Sequence, residues 1–307
     1  MKKNILFRAD SSSLIGTGHI MRDLVLAKMY KNSNIIFATQ DLAGNINQKI
    51  TEAGYTVKIL QSNDLIEIIK LIKKFNIDTI VIDNYDINFK YEKVLKLNTN
   101  VKIFSFDDTY NKHYCDILLN HNLGANKRKY KHLVPPNCKI MCGSKYTLLR
   151  DEFIKEKKKN KHVYNKKNIN MFLALGGTDH SNLNIKILKV LKNFNKLKVN
   201  IVTTTSNKNL EALEKYVKNK KWINLYINAT NIAKIMNKSN FAIVTPSVTL
   251  NEVYFMNIPF ISIKTASNQS NLYKYLKSKK YPVLKKFSKK MLKMEVKLLL
   301  KKINNDR

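Results

Sequence analysis

A histidine stands on a glycine turn near the start of the chain. Gly16-Thr17-Gly18-His19-Ile20-Met21-Arg22 follows the apolar run Asn4–Ala9 and the polar turn Asp10-Ser11-Ser12-Ser13. Glycines at Gly16 and Gly18 let the backbone approach a ligand closely, and a helix opening there presents its positive end to an anion. The same dipole disfavours imidazolium, so His19 is expected to be a neutral imidazole, competent as a general base. The plain alternative is a capping or packing histidine. The dinucleotide fingerprint is incomplete, because Met21 occupies its third glycine position.

A second set of residues suits a phosphate. Leu173-Ala174-Leu175-Gly176-Gly177-Thr178-Asp179 ends an apolar run in a Gly-Gly turn whose N–H groups can face a diphosphate, or which is simply a turn. Thr245-Pro246-Ser247-Val248-Thr249-Leu250-Asn251-Glu252 follows the run Phe241–Val244. Ser247 or Thr249 can open a helix there whose N-terminus holds a phosphate, with Glu252 accepting both hydroxyls of a ribose; a capping box fits the same residues. Asn268-Gln269-Ser270 adds amide groups after the run Pro259–Ile263. Tyr85 and Asp107-Asp108 end runs in the first half, on the side expected for His19. The aspartates invite a metal, but no D-x-D or H-x-x-E spacing supports one, so neither metal nor cofactor is expected. Arg8, Arg22 and Arg150 each adjoin a motif, where a guanidinium fork suits carboxylate or phosphate, or a structural salt bridge.

These residues need strands and helices to hold them. Short apolar runs alternate with amphipathic segments, the pattern of an α/β fold. Strands are predicted at Asn4–Ala9, Asn34–Thr39, Thr56–Leu60, Thr79–Asp83, Val101–Phe106, Ile117–Leu119 and Lys139–Cys142, with helices at His19–Tyr30, Leu65–Phe75 and Phe89–Leu97. A second series runs through Ile169–Ala174, Val199–Thr203, Asn224–Ile227, Phe241–Val244 and Pro259–Ile263. Two Rossmann-like domains facing a cleft are expected: residues 1–150 carrying the histidine, a lysine-rich linker at 151–167, a second domain at 168–284, and a basic C-terminal helix or tail at 285–307. Ligands of such sheets sit at the carboxyl ends of the strands. Of the 8 glycines, four fall in the turns at Gly16/Gly18 and Gly176/Gly177, which marks both as points of backbone constraint.

Composition narrows the function classes. The formal charge is +34, which invites a nucleic-acid role, yet only five of the 56 basic residues are arginine and the lysines are spread along the whole chain. Nucleic-acid readers concentrate charge on one face and favour arginine, so solvated surface is the preferred explanation and no nucleic-acid partner is expected. No apolar run reaches the roughly 20 residues that span a bilayer, and Met1-Lys2-Lys3-Asn4 leaves no room for a signal peptide. Cys115, Cys138 and Cys142 lack zinc spacing and are read as reduced thiols. A cytoplasmic monomer without membrane insertion is expected.

The stretch Phe7-Arg8-Ala9-Asp10-Ser11-Ser12-Ser13-Leu14-Ile15-Gly16-Thr17-Gly18-His19-Ile20-Met21-Arg22-Asp23-Leu24 closely resembles the N-terminus of the UDP-sugar hydrolases of pseudaminic acid biosynthesis. That family cleaves UDP-2,4-diacetamido-2,4,6-trideoxy-β-L-altropyranose. The likeness continues through Ile82-Asp83-Asn84-Tyr85, Phe104–Asp108, Cys115–Asn120, Tyr146–Phe153, Gly176–Asp179 and Asn251-Glu252, to about residue 283. It implies a glycosyltransferase-B-like fold related to the UDP-GlcNAc-using transferase of peptidoglycan synthesis. It further implies His19 as catalytic base and Tyr85 near the sugar, with Gly16, Gly18, Arg22 and Arg150 on the substrate. UDP would be held by Gly176, Gly177, Thr178, Ser247, Thr249, Asn251, Glu252, Asn268 and Gln269. Asn84 stands where a histidine is expected in close relatives, and the basic tail has no recognised counterpart. The reaction so implied is inverting hydrolysis at the anomeric carbon. A UDP-sugar-dependent transferase or epimerase of the same fold is the near alternative, and a basic nucleic-acid-binding protein the distant one.

Overall fold

The alternation of apolar runs resolves into two parallel sheets, one in each of two units, Met1–Leu148 and Leu149–Arg307. The computed structural model describes residues 2–159 and 169–305.

The first unit runs β1 (Lys3–Ala9), α1 (Gly18–Met29), β2 (Ser33–Gln40), α2 (Asn47–Glu52), β3 (Thr56–Leu60), α3 (Leu65–Lys74), β4 (Thr79–Asp83), α4 (Phe89–Asn98), β5 (Lys102–Phe106), β6 (Ile117–Asn120) and β7 (Lys139–Cys142). Its seven strands are ordered β3-β2-β1-β4-β5-β6-β7, and every neighbouring pair is parallel. Side chains alternate between two cores: Leu6, Ile80, Ile82, Ile103 and Leu118 on one face, Ile5, Phe7, Val81, Phe104 and Leu119 on the other. A sheet buried on both faces needs apolar residues at consecutive positions, which is why these strands read as unbroken apolar runs. Asp64 caps α3 through Ile66 N at 2.9 Å, and Asn88 caps α4 through Lys90 N at 3.0 Å.

The second unit runs α5 (Asp151–Lys157), β8 (Ile169–Ala174), α6 (Asn184–Leu191), β9 (Leu197–Thr203), α7 (Leu210–Val217), β10 (Ile223–Ile227), α8 (Ile232–Asn237), β11 (Phe241–Val244), α9 (Val248–Phe255), β12 (Phe260–Ile263), α10 (Ser270–Ser278), β13 (Val283–Leu284) and α11 (Lys289–Asn305). The strand order is β10-β9-β8-β11-β12-β13, again parallel throughout. In both sheets the order reverses beside the first strand of the unit, between β1 and β4 and between β8 and β11. Such a switch point leaves a crevice beyond the strand ends.

Two expected boundaries fall elsewhere. The linker predicted at 151–167 begins as helix α5, whose Phe153 and Glu156 are buried while Lys155 and Lys157 point outward. Glu152 accepts from Ala233 N at 3.0 Å, and Glu156 from Asn237 at 3.2 Å, which ties α5 to α8 inside the second unit. Residues 160–167 of that linker lie outside the described residues. The basic helix or tail expected at 285–307 is helix α11, and it belongs to the second unit rather than following it. Helix α11 inserts Leu292, Val296 and Leu299 into the same core as Met171, Leu173 and Ile187. Its lysines hid a buried stripe at i, i+4 and i+7.

Candidate active site

In the first unit the chain leaves β1 at Ala9 and enters α1 through a loop that is tightly tied. Gly16 N donates to Ser12 O at 2.8 Å, and Ser12 Oγ accepts from Ile15 N at 2.9 Å. Gly16 has φ +86, a conformation that favours glycine. The loop is also pinned to the β2–α2 loop, where Ser13 N donates to Ala43 O at 3.0 Å and Ile46 N to Ser11 Oγ at 3.0 Å. A Cβ on Gly44 would collide with Ser13 Oγ.

Behind this loop, Arg8 is fully buried and grips Asp10 with both arms, at 2.7 and 2.6 Å. Asp10 in turn accepts from Gln40 N at 2.7 Å and from Asn84 at 3.0 Å. Asn84 therefore braces the loop that carries the histidine. Its side-chain oxygen also accepts from Asp86 N at 2.9 Å.

His19 sits on the first turn of α1, whose N-cap Thr17 makes no side-chain cap. Its Nδ1 lies 2.7 Å from Asp83 Oδ1, at the carboxyl end of β4. Arg22, one turn along α1, donates to both oxygens of the same carboxylate, through Nε at 2.6 Å and through its second amino group. Burial works against the Asp83 charge, but Arg22 and then His19 outweigh it and hold this carboxyl well below its usual range. An ionised Asp83 fixes the proton on Nδ1 and leaves Nε2 as the basic nitrogen. The helix terminus alone offers no such partner. The arrangement can stabilise an imidazolium at His19, since Asp83 stands to it as the aspartate of a Ser-His-Asp triad stands to its histidine.

Further groups complete the cluster. Tyr85 packs edge-on to His19, ring centroids 5.0 Å apart, and its hydroxyl donates to Asp108 at 2.7 Å. Asp108 also lies 3.6 Å from Arg22, whose guanidinium stacks 4.7 Å from the Phe106 ring. His121, after β6, is buried beside Arg22. Burial, reinforced by the Arg22 charge, lowers its pKa to about 3, so it stays neutral. Asp23 is fully buried and neither carboxyl oxygen has a hydrogen-bond partner. Burial, with the Asp83 charge adding to it and Arg22 opposing, pushes its pKa well above the ordinary value. Asp107, by contrast, is structural, accepting from Tyr130 at 2.6 Å and from Thr109 N at 2.9 Å.

In the second unit, the predicted residues converge at the carboxyl ends of the adjacent strands β8, β11 and β12. Gly176 has φ +77, and Gly177 O accepts from the Thr203 and Thr204 hydroxyls at 3.0 Å each. Thr178 is buried. At the start of α6, Asp179 accepts from Leu183 N and Asn184 N at 3.0 Å each. Helix α9 differs. Ser247 at its N-cap makes no side-chain cap, its hydroxyl pairing instead with Thr245 at 3.1 Å, and no acid occupies the first turn. The capping box allowed by the sequence is not formed. Thr249 lies on that first turn, and Asn251 is buried behind it. Glu252 is buried and its Oε1 accepts from Arg150 Nε and a terminal amino group at 3.0 and 2.9 Å. Burial raises the Glu252 pKa and Arg150 opposes it.

Arg150, expected in the first domain, belongs to the second unit; it also contacts Glu152 at 2.7 Å and stacks 4.8 Å from Phe153. Gln269 braces its own loop, accepting from Thr265 N at 2.8 Å, while Asn268 is exposed beside it. His180 Nε2 lies 3.3 Å from Thr265 O, linking the β8 and β12 loops. Among the described residues, no three His, Cys, Asp or Glu side chains gather as a metal-holding group, and no helix is long and apolar enough to cross a membrane.

No family model matches the chain. A curated relative does: it is 43% identical to the UDP-2,4-diacetamido-2,4,6-trideoxy-β-L-altropyranose hydrolase of Campylobacter jejuni, over 92% of this chain and 99% of that protein. The chain belongs to this hydrolase family. It is thus an enzyme of the UDP-sugar hydrolase type. Solved structures agree on the fold. Acinetobacter baumannii MurG superposes with a TM-score of 0.62 at 12% identity, covering 97% of this chain and 91% of MurG. S. aureus MnaA, determined with UDP, gives 0.60 at 12% identity over 98% and 89%. The architecture of this hydrolase-family chain is glycosyltransferase-B-like, two Rossmann-like units with parallel sheets.

Sequence reasoning puts His19, Arg22, Tyr85 and Asp108 on one side, weighing Asp108 only as a metal ligand, and gives no role to Asp83, Asp23 or His121. Asp83 was within reach: a carboxylate closing a buried parallel strand next to the switch point sits where such sheets place their chemistry.

Proposed function

We propose that the chain hydrolyses a UDP-linked diacetamido-trideoxy sugar with inversion at the anomeric carbon, without a metal, as a cytoplasmic step of pseudaminic acid biosynthesis that serves flagellin glycosylation. The observation that carries this is the His19–Asp83 pair, 2.7 Å apart and backed by Arg22. Nε2 of His19 takes a proton from water as its oxygen attacks C1. The imidazolium so formed is stabilised by Asp83, and the C1–O bond to UDP breaks on the opposite face. UDP departs as an anion, so the second carboxylic acid of an ordinary inverting glycosidase is not needed.

The second unit takes the nucleotide end in this reading. The open N-terminus of α9, behind Ser247 and Thr249, receives the diphosphate and stabilises its growing charge. Gly176, Gly177 and Thr178 line the approach, with Asn251, Asn268 and Gln269 shaping the surrounding loops. Arg150 holds Oε1 of Glu252, and Oε2 is the atom assigned to a ribose hydroxyl. Arg150 thus serves the substrate through Glu252, while Gly16, Gly18, Arg22 and Tyr85 serve the sugar end around His19.

Product analysis by NMR in ¹⁸O-water, with UDP-sugar as the only substrate, tests the reading. Label in the freed sugar, with inverted configuration at first appearance, is the expected result. Label in the nucleotide would mean attack at phosphorus, and a requirement for an added acceptor would mean transfer; either overturns it.

A further inference from the structure

Two cysteines of the first unit stand together away from the His19 cluster. Cys115 precedes β6 and Cys138 precedes β7, and the parallel register that sets Ile117 against Lys139 brings the two side by side. Their sulfurs are 3.7 Å apart although the residues are 23 positions apart in sequence, and both are free thiols. Cys115 is 4% exposed, whereas Cys138 is only partly buried. We infer that Cys115 and Cys138 form a redox-active dithiol, which a hydroperoxide converts into an intramolecular disulfide, with Cys138 as the attacking sulfur.

The surroundings divide the roles. Either sulfur can donate across the 3.7 Å contact, and Cys138 is the more exposed of the two; pairing with Cys115, helped by the His113 charge, lowers its pKa against burial and the Asp116 charge. His113 is held positive by its place between Asp107 and Glu92, whose Oε1 lies 2.9 Å from Nδ1. Cys115 is pushed the other way, by that same thiol pairing and by burial, and remains a thiol until called on. A partly exposed sulfur whose pKa is lowered, next to a second thiol, is the arrangement of a peroxide-sensitive pair. Cys138 sulfur attacks the peroxide O–O bond, giving a sulfenic acid and releasing water or an alcohol once a proton is supplied. Cys115 sulfur then displaces the sulfenic oxygen as a second water, its own proton leaving with it. Two thiols are oxidised and one peroxide is reduced. Cys142, the remaining cysteine, takes no part.

The test uses the full-length protein with hydrogen peroxide, followed by denaturation, alkylation with N-ethylmaleimide and peptide mass mapping. The expected result is that alkylation falls from three sites to one, at Cys142. A cross-linked peptide joins Cys115 to Cys138, and dithiothreitol restores all three sites. In Cys115→Ser protein, Cys138 accumulates as a sulfenic acid trapped by dimedone, well ahead of Cys142. The inference is overturned if all three thiols stay alkylatable, if Cys142 enters the cross-link, or if Cys138 oxidises directly to sulfinic acid in the unaltered chain.

Discussion

Asp83 Oδ1 lies 2.7 Å from His19 Nδ1, and the same carboxylate takes both arms of Arg22. One buried acid therefore sets the tautomer of the imidazole and anchors the helix that presents it. Asp83→Asn keeps the shape but can place the ring proton on the wrong nitrogen. It is expected to lower kcat by about 10³–10⁴, while UDP affinity measured by calorimetry stays close to that of the unaltered chain. His19→Ala should abolish turnover with the same small effect on UDP. A large loss of UDP binding in either variant would reverse the division of roles.

Arg150 and Glu252 form the corresponding pair in the second unit. Arg150→Ala strands a buried carboxylate, and denaturant unfolding should show a loss of about 3 kcal/mol. Glu252→Gln combined with Arg150→Ala should recover much of that stability, because no uncompensated charge remains. UDP affinity should fall in Glu252→Gln by tenfold or more. An unchanged affinity would remove Glu252 from the ribose.

His113 makes stability depend on pH. Burial opposes its charge, but Asp107 and Glu92 outweigh it and raise its pKa from 6.5 to about 9. A folded value above the unfolded one contributes stability that is complete below about pH 6.5 and is lost as pH rises through about 9. At about 1.36 kcal/mol per unit, the contribution is at most about 3.4 kcal/mol. The stability gap between the unaltered chain and His113→Gln should be widest near pH 6 and close by pH 10. A gap that grows with pH would contradict the assignment.

Helix α11 gives a test of packing. Leu292 is fully buried in the second core. Leu292→Ala should destabilise that unit by about 2–5 kcal/mol, whereas exposed Met291→Ala should change little. Equal, small effects would return α11 to the status of a tail.

Much of this was legible beforehand. Strands such as Thr79–Asp83 and Phe241–Val244 match their predicted spans, because strands buried on both faces leave unbroken apolar runs between turns. The two-residue β13 carries too little pattern to be seen. The basic C-terminal helix is legible as α11, but its buried face is not, because lysines outnumber its buried positions. In the site, His19 was legible from its glycine context, but its partners were not. Asp83 is 64 positions away in sequence, and only the strand order β1-β4 makes them neighbours. Likewise Gln269 was read as a ligand group, whereas its carbonyl oxygen is spent on Thr265 N and Ala266 N, a local use that residue type alone does not reveal.

The chain holds only five arginines among 56 basic residues, and three of them, Arg8, Arg22 and Arg150, each engage a carboxylate with two nitrogens. A lysine keeps the charge but has no second arm to fix a carboxylate plane. Exchange to lysine at these three sites leaves the net charge untouched and still removes the two-nitrogen grip on Asp10, Asp83 and Glu252.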